Sequence, residues 1–473
     1  MRRLIPLALA ALALPLLALA EEPAPIPEDI RAAAETLMER GLADEVGLKF
    51  VEDLTTEIGP RLAGSEAEAQ ARDWAMRELK ELNFQIVRTE AFTIPFWSRV
   101  REEARVTSPA EQPLVITALG GSAATPEGGI EAEIVRYESL AQLRAAPASD
   151  VDGKIVFLDE PMTRTMDGSG YGYAVRKRRA CAGDTVEKGG LACLIRSVGT
   201  QARRFPHAGM MARGEAEGAG PAAALSPPDA DQLARLLERG AVEVFLDIQV
   251  ETRRGAPSGN IIAEIEGDRR PEEIVLIGCH LDSWDLGTGA VDDGAGCGIV
   301  VGAAKLIMEL DERPARTIRV VLYGAEEVGL LGADAYARRH SEDLDKHVFA
   351  SESDFGADRI WRFETNFGEG ALAYARAIQE VLAPLGILPG GNEARGGPDI
   401  GVLRRSGVPV VTPRQNGWDY FDLHHTPDDT FDKIEPEAFR QNVAAYAAFT
   451  WIVAETGWDL RKPADGESGA ATE

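Results

Sequence analysis

Basic residues are scarce in this sequence relative to acidic ones. The 473 residues include 50 Lys and Arg against 77 Asp and Glu, which gives a formal net charge of −27 at pH 7. Such a charge repels the phosphate backbone, so the composition argues against nucleic acid as a partner. Acidity of this degree supports solubility and does not by itself indicate a ligand.

Long apolar runs are confined to the N-terminus. Residues 1–20 combine a basic start, an apolar stretch from Leu4 to Leu19 and small residues ending at Ala20, the pattern of a cleaved secretory signal peptide. The stretch is short for a membrane-spanning helix and contains Pro15. The residue directly after the cleavage point is not Cys, which argues against a lipoprotein. No later apolar run reaches membrane length. We therefore predict an exported protein, periplasmic or extracellular, without a membrane anchor.

Cysteine is also scarce, with four residues in the chain: Cys181, Cys193, Cys279 and Cys297. Export permits disulfide bonds, and four cysteines allow three pairings, among which the sequence does not choose. A bridge between Cys181 and Cys193 is favoured. Cys279 and Cys297 could meet in a strand–helix unit or remain buried thiols.

Residues 273–327 have the pattern strand, loop, helix, strand. An unbroken apolar run at 274–277 and a mostly apolar run at 318–323 predict two buried strands, and a helix is predicted from 299 to 310 between them. A Gly-rich loop joins the first strand to the helix. Ionisable residues follow both strands, and in open α/β sheets this edge is where ligands bind.

The residues at these strand and loop ends are histidines and carboxylates, without a Ser or Cys in a nucleophile setting. Imidazole and carboxylate together suit Zn²⁺ or a similar divalent ion. Glu326 and Glu327 repel each other as neighbours, and a metal explains the pair, since one carboxylate can bind the ion while the other stays free as a base. Asp282 lies two residues after His280, so its carboxylate is suited to fix the tautomer of the His280 imidazole.

Each of these residues alone could have a structural role, as a packed histidine, a turn residue or a helix cap. Asp354 follows a further predicted strand, and His424 and His425 lie in a later loop. Metal-type residues at five separate strand or loop ends favour a common site. His207 stands apart from them and is predicted to be structural or exposed.

Two patterns of secondary structure divide the chain. Alternating strands and helices are predicted for 21–104 and 254–460, whereas short strands cluster between 105 and 253. We predict an α/β domain built from the outer parts and a separate β-rich domain inserted between them; one sheet running through both would contradict this. The length of 473 residues also favours two domains. The small, polar tail at 461–473 is predicted to be disordered.

Strands at the junctions of these parts are predicted as separate short elements. They lie at 85–87, 92–94, 242–250 and 258–265.

Five motifs stand in order within about 257–435: His280-x-Asp282, Gly289-Ala290-Val291-Asp292-Asp293-Gly294, Glu326-Glu327, Asp354 after Glu352-Ser353, and His425-Thr426-Pro427-Asp428-Asp429-Thr430. In these motifs the chain resembles the M28 peptidase family of co-catalytic zinc exopeptidases. Residues 60–65 also resemble the family's N-terminal segment. The resemblance implies a zinc-exopeptidase fold, with a mixed, mostly parallel central sheet and helices on both faces. It also implies that the insert is a protease-associated domain.

The resemblance further implies a role for each residue. Two Zn²⁺ ions per chain would be held by Asp292 as the bridge, by His280 and Asp354 at one site, and by Glu327 and His425 at the other. Glu326 would be the general base, and Asp282 would orient His280. The residues alone leave Asp293 and His424 as alternatives to Asp292 and His425, and the family patterns select the latter pair.

We therefore predict a secreted metallo-exopeptidase for short peptides or dipeptides, with aminopeptidase, dipeptidase and carboxypeptidase action left open. Two alternatives share the fold: a catalytically silent binding protein, as in the transferrin-receptor branch, and a glutaminyl cyclase with one zinc. The family also suggests a homodimer, for which the helical stretch at 27–54 is a candidate contact.

Overall fold

The computed structural model describes residues 26–211 and 220–461. The predicted signal peptide at 1–20 and nearly all of the predicted disordered tail at 461–473 lie outside these ranges. Within them, no helix combines the length and the apolar character needed to cross a membrane.

The strands of the described residues fall into one hydrogen-bonded system. They are β1 Ile86–Ser108, β2 Gln112–Leu114, β3 Ile116–Ala118, β4 Ile130–Tyr137, β5 Ile155–Leu158, β6 Ala192–Arg196, β7 Ala222–Leu225, β8 Glu243–Ile265, β9 Arg270–His280, β10 Arg316–Tyr323, β11 His347–Glu352, β12 Ile360–Asn366, β13 Leu388–Pro389 and β14 Val410–Gln415.

The α-helices of the described residues alternate with strands mainly in the second half of the chain. They are α1 Glu28–Gly41, α2 Val46–Asp53, α3 Glu66–Glu81, α4 Leu140–Ala145, α5 Ala148–Val151, α6 Ser169–Glu187, α7 Pro227–Leu237, α8 Ala295–Met308, α9 Leu331–Arg339, α10 Leu372–Leu382, α11 Ile400–Arg405, α12 Tyr420–Leu423 and α13 Pro436–Glu455.

The central sheet is mixed and mostly parallel, as predicted. Strands β14, β11, β9 and β10 lie side by side and are parallel, while β8 and β12 join them in antiparallel orientation. Val275 and Ile277 of β9 pack in the cluster that contains α8 and α13, whereas Ile274 and Leu276 pack in the cluster that contains α9 and α11. The strand is thus buried on both faces, which is why its apolar run is unbroken.

Two strands of the fold are much longer than predicted. β1 and β8 each span 23 residues and pair with each other in antiparallel orientation. The prediction of separate short strands is therefore wrong. The strands predicted at 85–87 and 92–94 belong to β1, and those predicted at 242–250 and 258–265 belong to β8. Pro95 and Gly255 both fall at the register shift between Ile94 and Phe96, where a bulge accommodates them within the continuous ladder.

The middle segment, residues 105–253, is joined to the central sheet by these long strands. β8 pairs with β10 near its C-terminal end and with β4 near its N-terminal end, and the ladder continues through β5, β6, β7 and β3. The expectation that no sheet runs through both parts is therefore wrong.

The two main apolar clusters of the middle segment are nevertheless separate from those of the central sheet. Phe157 and Leu194 lie in one apolar cluster of this segment and Val156 and Ile195 in another, both distinct from the clusters on the faces of β9. The limits of an inserted domain stay a prediction.

Both pairs of cysteines are disulfide-bonded. Cys181 of α6 is bonded to Cys193 of β6, which is the pairing that the sequence favoured. Cys279 of β9 is bonded to Cys297 of α8, so the second pair is not a pair of thiols. The second bond ties together the strand and the helix that flank the Gly-rich loop.

The stretch predicted as a dimer contact packs on its own chain. Ala34 and Leu37 of α1 are fully buried, and a Cβ added to Gly41 would lie 2.5 Å from the Cα of Ala444 in α13. The apolar face of α1 is therefore already covered. A homodimer stays a prediction, without support from this helix.

Candidate metal centre

The predicted site residues meet at the carboxyl edge of the central sheet. His280 ends β9, Glu326 and Glu327 follow β10, and Asp354 follows β11. Asp292 lies in the turn before α8. The remaining residues are Asp282, just after β9, and His425, in the loop after α12. All of them except Glu326 and Asp354 are buried, and those two are partly buried.

The carboxylate of Asp292 lies between two imidazoles. Its Oδ1 is 3.2 Å from Nε2 of His280, and its Oδ2 is 3.2 Å from Nε2 of His425. Nε2 of His280 is also 3.5 Å from Oδ1 of Asp354, and Nε2 of His425 is 3.0 Å from Oε2 of Glu327. Two groups of metal-ligand type therefore share one carboxylate, with one carboxylate oxygen directed at each.

Asp293 faces away from both groups. Its Oδ2 accepts a hydrogen bond from the backbone N–H of His280 at 3.0 Å, and its Oδ1 accepts one from Gly296 at 3.1 Å. The side chain thus anchors the start of α8 to the end of β9. These contacts leave Asp292, and not Asp293, in the position of a bridge.

The two adjacent histidines differ in their partners. Nδ1 of His425 donates to the backbone oxygen of Ala208 at 3.2 Å, which leaves Nε2 free to face Asp292 and Glu327. The Nε2 atom of His424 is 3.5 Å from Oδ2 of Asp292, and its buried Nδ1 has no hydrogen-bond partner among the described residues. A second hydrogen bond that fixes the ring is typical of metal-binding histidines, so the contacts favour His425.

Asp282 acts through different atoms from those predicted. Its backbone oxygen accepts from Nδ1 of His280 at 2.9 Å, whereas its carboxylate lies 3.8 Å from that nitrogen. The carboxylate accepts instead from the backbone N–H groups of Glu326, at 3.0 Å, and Glu327, at 3.3 Å. β9 ends at His280, so Asp282 does not belong to an extended strand in which its carboxylate would lie on the same side as the ring.

Two residues that hold the Asp292 loop were not among the predicted site residues. Asp429 accepts hydrogen bonds from the backbone N–H groups of Val291, at 2.6 Å, and Asp292, at 3.2 Å. The fully buried guanidinium of Arg61 donates to the backbone oxygens of Leu281, Thr288, Gly289 and Gly59. Both lie in motifs of the sequence, and their role could be assigned only from the hydrogen bonds.

The electrostatics of the site suit a cation. Burial disfavours the protonated ring of His280, but Asp354 and Asp292 outweigh it and hold its pKa well above the usual value. Burial is likewise outweighed at His425, where Glu327 and Asp292 raise the pKa of the imidazole. Burial would raise the pKa of Asp292, but the surrounding imidazoles hold it well below the usual value. The carboxylates thus attract positive charge, which a dication bound to neutral imidazoles would supply.

Unpaired buried atoms point to the same conclusion. Oε1 of Glu327 and Oδ2 of Asp292 are buried and accept no hydrogen bond from any described residue. Buried carboxylate oxygens without partners are costly, and a cation between them would offset that cost. The residues present therefore fit a metal pair.

A cavity of about 800 Å³ adjoins the site. Its lining includes Asp292 and Glu326 on the sheet edge, Tyr171 and Met210 of the middle segment, and Arg395 from the loop before α11. Two parts of the chain thus enclose the space next to the candidate ligands.

Known proteins resemble the chain over most of its length. The model of peptidase family M28 matches residues 260–450. Carboxypeptidase Q from Mus musculus is 32% identical over 429 residues, which cover 90% of this chain and 90% of the relative. Carboxypeptidase Q from Homo sapiens is also 32% identical, over 90% of this chain and 89% of the relative.

Solved structures agree with the fold. A peptidase M28 precursor from Shewanella amazonensis SB2B superposes with a TM-score of 0.90 at 48% identity, covering 92% of this chain and 98% of the other. A zinc aminopeptidase from Bacillus subtilis has a TM-score of 0.64 at 20% identity, covering 88% and 97%, and supports the fold alone. The similarity to relatives over nearly the whole chain shows that the protein belongs to peptidase family M28 and is a metallo-exopeptidase.

Proposed function

We propose that the protein is an exported, zinc-dependent exopeptidase that hydrolyses short peptides or dipeptides and holds two Zn²⁺ ions per chain. The observation that carries this proposal is the carboxylate of Asp292, whose two oxygens face His280 on one side and His425 on the other. Zinc aminopeptidases share the fold.

The ligands divide into two sets around Asp292. His280 and Asp354 would complete one site, and Glu327 and His425 the other. Two ions held by these residues would supply Lewis acidity, which would lower the pKa of water and polarise the scissile carbonyl.

Glu326 is placed to move the proton. Its backbone N–H is held by Asp282, it lines the cavity, and its carboxylate has no hydrogen-bond partner among the described residues. Burial raises the pKa of Glu326 well above the usual value, which suits a general base near neutral pH. The Glu326 carboxylate would accept the proton of the attacking water and deliver it to the amine nitrogen that leaves.

Two arginines could bind the free carboxylate of a short substrate. Arg179 and Arg395 line the cavity, are exposed, and have no ion pair within the described ranges. Arg414 lines the same cavity but donates to Glu364 at 2.8 Å. We extend the proposal to a substrate whose carboxylate reaches one of the two unpaired guanidinium groups. The middle segment, proposed to be a protease-associated domain, would limit the length of the peptide.

A kinetic screen of free and end-blocked dipeptides tests this function. We expect free dipeptides to be hydrolysed, and conversion of the carboxylate to an amide to lower kcat/KM by about 10–100-fold, because a charged hydrogen bond contributes about 1.5–3 kcal/mol. Equal rates on a peptide blocked at both ends would contradict exopeptidase action. Equal rates on free and amidated dipeptides would contradict only the role of the arginines.

Zinc titration tests the number of ions. The chelated protein should be inactive, and activity should recover to its maximum as two equivalents of Zn²⁺ bind, because the two ligand sets share a bridge. Elemental analysis of the active protein provides the matching count. Full hydrolytic activity with one equivalent would refute the pair, and two bound ions without any hydrolysis of short peptides would refute the proposed substrate class.

A further inference from the structure

The middle segment contacts the backbone that carries His425. The N–H of Ala208 donates to the backbone oxygen of His425 at 2.9 Å, and Nδ1 of His425 donates back to the oxygen of Ala208 at 3.2 Å. This reciprocal pair joins a residue of the middle segment to a candidate metal ligand that is 217 positions away.

His207 reinforces this contact from the adjacent position. Its Nδ1 is 2.8 Å from the backbone oxygen of His424, and because a carbonyl only accepts, Nδ1 carries the proton. The ring is buried, and burial lowers the pKa of His207 to about 3, so the neutral donor persists at physiological pH. The backbone N–H of His207 donates to Ser197 Oγ at 3.0 Å, and this hydroxyl donates to Leu225 of β7.

The helix that precedes the two histidines is held by the same segment. Arg164 donates to both carboxylate oxygens of Asp422 in α12, at 2.6 and 2.8 Å. The hydroxyl of Thr200 donates to Asp422 at 2.7 Å, and its backbone N–H donates to Phe421. The loop with His424 and His425 is therefore held on both sides by residues between 164 and 208.

The backbone of His425 needs such support. Its φ is +61°, in the left-handed region that a non-glycine residue rarely adopts. In this conformation Nε2 faces Asp292 and Glu327. The peptide oxygens on either side of the His425 Cα accept hydrogen bonds from this segment: that of His424 from the His207 ring, and that of His425 from the Ala208 N–H.

We propose that the middle segment completes the His425 metal site, with His207 as its central positioning residue. Zinc bound at His425 and docking of the middle segment would then stabilise each other, since a coupling between two sites is reciprocal. This inference rests on the proposed function in one respect, because it requires a zinc ion at His425. The sequence predicted His207 to be structural or exposed; the ring is buried, and the role proposed here is a structural one.

The test compares His207→Leu with His207→Asn. Asparagine places an N–H donor near the position of Nδ1, whereas leucine keeps the apolar volume and removes the donor. In a zinc titration of the chelated protein, we expect His207→Leu to weaken one of the two sites by about 10–100-fold, the usual effect of losing a partner that orients a metal ligand. The other site, with His280 and Asp354, should keep its affinity, and His207→Asn should recover most of the loss.

Thermal unfolding with and without zinc provides a second readout. Zinc should raise the Tm of the wild-type protein more than that of His207→Leu. If that variant does not fold, Arg164→Met provides the test, because the Arg164 side chain is 26% exposed and its loss should weaken the same site more mildly.

The outcomes separate this inference from the proposed function. Unchanged zinc affinity in both His207→Leu and Arg164→Met, or a His207→Asn variant as weak as His207→Leu, would overturn the positioning role. Equal weakening of both metal sites would also overturn it. A wild-type protein that binds a single zinc ion would instead refute the proposed metal pair.

Discussion

Replacement of Glu326 by Gln is expected to lower turnover by about 10²–10⁴-fold while both metal ions stay bound. Glutamine keeps the size of the side chain and cannot accept the proton of the attacking water. The change should leave the metal ligands intact, because the Nε2 atoms of His280 and His425 face Asp292, Asp354 and Glu327, and Glu326 is not one of these partners. Steady-state kinetics together with elemental analysis measure both properties.

Glu327→Gln is the matched comparison. Oε2 of Glu327 lies 3.0 Å from Nε2 of His425, and its Oε1 is buried without a hydrogen bond. Loss of the negative charge should weaken one metal site, so zinc content should fall and added zinc should partly restore activity. The two roles are reversed if Glu326→Gln loses metal while Glu327→Gln keeps both ions without turnover. Full activity in both variants would place the chemistry elsewhere.

Much of the fold could be predicted because its strands are buried on both faces. The run at 274–277 is apolar without interruption, the run at 318–323 is interrupted only by Arg319, and both lie in central strands, β9 and β10, of the mixed sheet. Parallel strands place their carboxyl ends at one edge, so residues that follow them in sequence meet in space. For this reason His280 and Glu327 could be assigned to one site from the sequence.

The remaining features depend on contacts between residues that are far apart in the chain. Whether β1 continues past Pro95 is decided by its pairing with β8, which absorbs the irregularity in a bulge. The position of the Asp282 carboxylate is decided by where β9 ends. Arg61 and His207 act through backbone oxygens of distant loops, and a backbone acceptor leaves no pattern in the sequence.

The last prediction separates the two neighbouring aspartates, which the residues alone could not do. In Asp292→Asn, one of the two carboxylate oxygens becomes an amide nitrogen, which cannot bind a metal. One face of the bridge is lost, so zinc content should fall to one ion or fewer. Turnover should fall by about 10³-fold or more, because loss of several kcal/mol of metal assistance has an effect of this size. The fold should persist, since the contacts of Asp292 Oδ1 and Oδ2 are with histidine side chains.

Asp293→Asn should have the opposite profile. Both oxygens of Asp293 accept backbone N–H groups, from His280 and Gly296, and an amide nitrogen would place a donor against one of them. We expect the free energy of unfolding to fall by about 1–3 kcal/mol, the cost of an unpaired buried group, with zinc content nearly unchanged. Denaturant midpoints measure this, with exposed Asp432→Asn as a control that should shift stability by less than about 0.5 kcal/mol. If Asp293→Asn releases zinc and Asp292→Asn only destabilises the fold, Asp293 is the bridge, and the assignment drawn from the hydrogen bonds of His280 and Gly296 is wrong.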